Sequence, residues 1–113
     1  MSERLPSGVV VTALMRRVND AGGLGMVLAR GEAQAGAILV IVQERGENPR
    51  ILERGLGPDG AVALIESGPR PPAEPGELTA YWQRRRSRDP DLWVIELDIA
   101  GAERFAAETI LGS

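Results

Sequence analysis

Ala37-Ile38-Leu39-Val40-Ile41-Val42 is an unbroken apolar run, and four of its six residues are β-branched. Such a run suits a strand buried on both faces, which places it in the middle of a sheet. Upstream, Leu24 to Ala29 reads as a second short strand, turned into the first by Arg30-Gly31-Glu32. Before it, Val11, Leu14, Met15 and Val18 fall at i, i+3, i+4 and i+7, the stripe of an amphipathic helix. Gly22-Gly23 ends that helix. The β-branched triplet Val9-Val10-Val11 favours a strand locally and leaves the helix start open. Residues 1–7 are polar and expected to be flexible.

Downstream, Glu44 to Pro49 reads as a polar loop. Arg50 to Arg54 and Ala61 to Glu66 are two more short strands, joined by turn-forming residues from Gly55 to Gly60. Residues 67–76 carry Pro69, Pro71, Pro72 and Pro75 and form a stiff connector. A helix starts near Pro75, with Leu78, Tyr81, Trp82 and then Arg85 on its apolar stripe, and Asp89-Pro90 stops it. Trp93, Ile95, Leu97 and Ile99 alternate with Val94, Glu96 and Asp98, a strand with one clearly apolar face. Ala102, Phe105, Ala106, Thr109 and Ile110 repeat at helical spacing. Strands cluster instead of alternating with helices. The expectation is therefore one α+β domain over 1–113, a small, mostly antiparallel sheet of about five strands with two or three helices packed on it.

Composition narrows function more than fold. The 113 residues contain no Cys and no His. That removes a disulfide framework, a thiolate nucleophile, the commonest general base and the commonest metal ligand. All 13 basic residues are Arg. Schiff-base chemistry and a P-loop lysine are excluded, because Arg does not deprotonate near neutral pH. Hydroxyls such as Thr12, Ser67, Thr79 and Ser87 therefore have no His or Lys to activate them. The net charge of −3 does not make the whole molecule attractive to nucleic acid or anionic membrane. No apolar stretch approaches the roughly 20 residues of a membrane span, and no signal-peptide pattern is visible, so a cytoplasmic location is expected.

Gly55-Leu56-Gly57-Pro58-Asp59-Gly60 matches G-x-G-x-x-G letter for letter. A phosphate-binding loop must open a long helix, and the segment after Gly60 is too short for one, so the match reads as a hairpin loop. Gly22-Gly23-Leu24-Gly25 closes a helix and precedes a strand, the reverse of a phosphate loop. The densest charge is Arg84-Arg85-Arg86-Ser87-Arg88. It can hold carboxylates of an acidic partner or phosphates of RNA, or it is a solvated helix end whose aromatics point inward. Asp89 and Asp91 beside it, and Glu96 and Asp98 further on, can be metal-binding carboxylates. The structural alternatives are turn chemistry for the first pair and the wet side of an edge strand for the second. The small residues around Gly31 and from Ala35 to Ala37 are explained by close backbone approach.

Two of these segments resemble a known family. Arg30-Gly31-Glu32-Ala33-Gln34-Ala35-Gly36-Ala37-Ile38-Leu39-Val40 and, more specifically, Arg85-Arg86-Ser87-Arg88-Asp89-Pro90-Asp91-Leu92-Trp93-Val94-Ile95-Glu96 are similar to segments of domain of unknown function 1491. Ala13-Leu14-Met15-Arg16-Arg17 is similar as well, whereas Ala100 to Ser113 matches less. The family is associated with alphaproteobacteria, and its members are about this long. The resemblance implies a cytosolic, stand-alone domain and carries over no catalytic residue.

The sequence thus points to a non-enzymatic binding or protein-interaction domain. Its candidate binding surface is Arg84, Arg85, Arg88, Asp89 and Asp91, facing an acidic protein partner. A nucleic-acid-binding module using Arg84 to Arg88 is the alternative, and a carboxylate-dependent metal enzyme ranks below it. No cofactor, catalytic residue or membrane partner is expected, and self-association through a sheet edge or apolar face stays open.

Overall fold

The computed structural model describes residues 4–112. Helix α1 spans Ser7–Asp20, strand β1 Leu24–Ala29, β2 Ile38–Glu44, β3 Glu47–Leu56 and β4 Val62–Ser67. Helix α2 follows at Pro75–Arg88, then β5 at Trp93–Asp98 and α3 at Ala102–Ile110. The strands form one sheet in the order β1-β5-β2-β3-β4. Among the described residues only the β2–β5 pair is parallel. The fold is α+β and mostly antiparallel, and β2, the apolar run, is its central strand.

Alternation along the strands sends side chains to two separate cores. Val40, Val42, Leu52, Trp93, Ile95 and Leu97 face α1 and α3, meeting Val10, Val11, Leu14, Val18, Ala102, Ala106 and Ile110. Leu39, Ile41, Ile51 and Val94 face the other way, under Leu78 of α2. Every residue of β2 from Leu39 to Val42 is buried, as a doubly covered strand requires.

Three features depart most from the sequence reading. Helix α1 starts a turn earlier, at Ser7, and takes in the β-branched triplet. The reason lies far along the chain. The Ser7 and Gly8 amides donate to the Gln34 and Ala33 carbonyls, which satisfies N–H groups a helix start normally leaves orphaned. Burial of Val10 and Val11 then outweighs their local strand preference. Of the segment expected to be flexible, residues 1–3 lie outside the described residues, while Ser7 is buried and donates its hydroxyl to the Gly36 carbonyl at 2.6 Å.

The second difference is the expected loop Glu44–Pro49. It is a two-residue hairpin, Arg45-Gly46, between paired Glu44 and Glu47. Both turn residues have positive φ, 55° and 73°, as a hairpin of this kind demands. Asp98 from β5 holds it, accepting the Arg45 amide at 2.6 Å and the Gly46 amide at 2.9 Å. The third is β5 itself. It lies between β1 and β2, so Glu96 and Asp98 are not on an edge strand.

Candidate functional site

The two segments that carry the family resemblance are joined in space. The Glu32 amide donates to the Asp91 carbonyl at 2.9 Å, and the Trp93 amide to the Ala37 carbonyl at 2.8 Å. The Trp93 indole Nε1–H donates to the Glu32 carbonyl at 2.8 Å. Arg30 stacks over the Trp93 ring, 5.5 Å from its centroid. Gly31 and Gly36 both lie against the Asp91 carbonyl, too close for a Cβ. The Glu32 carboxylate accepts the Gln34 and Ala35 amides, which hold its pKa below the usual carboxylate range. This region closes one end of the domain through backbone bonds and small residues, as the sequence reading of close approach anticipates.

The arginine cluster at the end of α2 divides into two kinds. Arg85 is half-buried and forms a forked pair with Glu53 of β3, at 2.8 and 3.1 Å, while also donating to the Tyr81 hydroxyl. That pairing lowers the Glu53 carboxyl pKa, chiefly through the Arg85 hydrogen bond, and raises that of Arg85. Arg85 is thereby withdrawn from the candidate binding surface, because its fork is already filled by an internal carboxylate. Arg86, next to it, donates to the Pro90 and Leu92 carbonyls and fixes the turn into β5. Arg84 and Arg88 are exposed, one helical turn apart, and their side chains have no partner among the described residues. Tyr81 and Trp82 pack inward against the core under α2.

The acidic candidates are kept apart. Asp89 Oδ1 accepts the Asp91 amide at 3.1 Å, closing the turn before β5. Asp98 sits at the far end of the same strand, five steps of about 3.3 Å, or roughly 16 Å, from Trp93 beside the turn. Among the described residues no group of three or more acids comes together in a way that could hold a metal ion. Glu96 is pushed up in pKa by burial and then by Asp98. The glycine-rich match is a hairpin loop. Gly57 donates to the Ala61 carbonyl, Ala61 to Asp59 Oδ1, and the chain returns as β4 instead of opening a helix.

A cleft that local sequence reading misses lies between the start of α1 and the end of α3. It holds about 540 Å³ and is lined by Arg4, Val10, Ile38, Arg54 and Ile110 among others. No motif announces it, since Arg4 and Arg54 are 50 positions apart and meet only through the fold. The one local hint is Arg54 itself, a charge on the strand face that otherwise carries Leu52 into the core. Among the described residues no helix is long and apolar enough to cross a membrane.

A family model described as "Protein of unknown function (DUF1491)" matches residues 5–107. The chain is similar to the crystal structure of a DUF1491 family protein from Caulobacter crescentus CB15, with 30% identity and a TM-score of 0.73, covering 90% of this chain and 94% of that one. An NMR structure of a DUF1491 family protein from the same organism gives 30% identity and a TM-score of 0.73, covering 92% and 94%. The solution structure of a protein from A. tumefaciens is 30% identical with a TM-score of 0.68, covering 85% and 86%. A search of the curated proteins returns no match.

Proposed function

Because the chain belongs to the DUF1491 family, a family of unknown function, we propose from its geometry that it is a non-enzymatic binding domain that docks an acidic protein partner through the end of α2. The carrying observation is the division of the arginine cluster. Arg85 and Arg86 are bound within the domain, whereas Arg84 and Arg88 stand on its surface without a partner among the described residues. Two free guanidinium forks a turn apart match carboxylates on a facing surface, and Arg binds them with two parallel hydrogen bonds. Asp89 and Asp91 shape the turn beside them. Nucleic acid fits less well, because Tyr81 and Trp82 are packed inward and unavailable to stack on bases. The reading takes the domain to act in the cytoplasm.

Co-purification from the native host with the double variant Arg84→Glu, Arg88→Glu tests this. The variant is expected to stay folded with a loss of about 1–2 kcal/mol, because it puts two carboxylates at the negative end of α2. It is also expected to lose an acidic protein that the parent retains at low salt and releases at high salt. Equal recovery by parent and variant would overturn the proposal.

A further inference from the structure

The cleft beside α1 brings two arginines and an apolar wall together. Its volume of about 540 Å³ falls in the range of small-molecule sites, roughly 300–1,000 Å³. Val10 and Ile110 present buried apolar side chains to it, with Ile38 partly buried and Leu5 exposed. Arg54 reaches it from β3 and Arg4 from the segment before α1. Arg54 is partly buried and gives one N–H to the Ile110 carbonyl at the end of α3. That bond answers the negative end of a helix that carries no basic residue in its own last turn. A guanidinium has five N–H donors, so others stay available to a ligand.

The two cations lack a counter-ion among the described residues. Glu53 is the one acid among the described cleft residues, and both its carboxylate oxygens are taken by Arg85. On α3, Glu103 is bound by Arg50 and Glu108 by Arg17. Burial, and then the charge of Arg4, pull the Arg54 pKa below its ordinary value. Two like charges facing one partly dry cleft repel each other, and an anion between them removes that repulsion. Helix α1 begins at the same place and adds the positive end of its dipole. Its first amides do not take part, being bonded to the Gln34 and Ala33 carbonyls.

We propose that this cleft binds a small amphipathic anion, its carboxylate or phosphate head held by Arg4 and Arg54 and its short apolar body against Val10, Ile38 and Ile110. The site is separate from the end of α2. Eight-carbon molecules with and without one charged head probe the combination of two cations and an apolar wall.

Titration of the full chain with octanoate, octyl phosphate and 1-octanol, followed by NMR at the methyl groups of Val10, Ile38 and Ile110, tests it. At least one anion is expected to give saturable shifts and to bind about ten-fold or more tighter than 1-octanol, the worth of one charged hydrogen bond. Which anion wins identifies the head. Arg4→Gln is expected to weaken that anion about three- to ten-fold without lowering the melting temperature, since Arg4 makes no bond among the described residues and its loss relieves the repulsion of Arg54. Arg54→Gln is expected to weaken it further, but it also removes the bond to the end of α3, so the Arg4 variant is the deciding one. If neither anion binds tighter than 1-octanol, or if Arg4→Gln binds as the parent does, the proposal is wrong.

Discussion

Two helices, α1 and α3, cover one face of the sheet, and a single helix, α2, covers the other. The two-helix face closes around Trp93, whose indole N–H, ring and backbone are all engaged by the segment from Arg30 to Ala37. The one-helix face closes through side chains. Arg85 ties α2 to Glu53, and the partly buried Trp82 has no partner for its buried indole N–H among the described residues. The single helix also leaves part of its face bare, and Leu24 and Met26 on β1 are 73% and 57% exposed. The difference teaches where each face can yield. Close backbone packing tolerates no added atom, whereas a side-chain tie yields to a change of charge.

The largest expected effect is therefore at Gly31. A Cβ there overlaps the Asp91 carbonyl and sits 2.6 Å from Trp93 Cδ1 and 2.7 Å from the Trp93 amide nitrogen. Neither backbone can move without breaking the Glu32–Asp91 and Trp93–Ala37 bonds. Gly31→Ala is expected to cost about 3 kcal/mol or more in urea unfolding. A loss under about 1 kcal/mol would show that the two segments are not rigidly joined and would erase the contrast between the faces.

These contacts also show how far the sequence is legible. The apolar run 37–42 identifies the central strand because its burial is a property of consecutive residues. The small residues at Gly31 and Gly36 announce close approach, but not the partner, since Asp91 lies some 60 positions away. The hairpin at Arg45-Gly46 is hidden for the same reason, because the carboxylate that holds it comes from β5. The arginine cluster is visible as charge. Which of its members are free is decided by Glu53, 32 positions from Arg85. Local patterns therefore give elements, while the fold decides which charges remain available.

The side-chain tie of the one-helix face has a pH signature. Arg85 lowers the folded-state pKa of Glu53, so the ionised carboxylate is favoured by folding. Its contribution is complete above the unfolded-state pKa and is lost as pH falls through the lower folded-state value. Glu53→Gln is expected to cost about 1–3 kcal/mol near neutral pH, because it leaves the Arg85 fork without its charge partner. It is also expected to flatten the decline in stability on the acid side. Thermal melts from neutral to strongly acid pH check this, and parallel curves for parent and variant would mean the pair contributes nothing.

The smallest effect comes from making the same substitution on both faces. Trp93→Phe removes an indole N–H that donates to the Glu32 carbonyl, so it is expected to cost about 1–3 kcal/mol in lost bond and packing. Trp82→Phe removes an indole N–H that is buried without a partner among the described residues. Shedding that unsatisfied donor offsets part of the lost apolar area, and the net change is expected to stay within about 1 kcal/mol of zero. Measured in urea on the full chain, the two changes set a bonded indole N–H, with its ring packing and Arg30 stack, against an orphan donor. Equal losses would mean that the indole of Trp82 has a partner after all, and the one-helix face would then be as fully satisfied as the other.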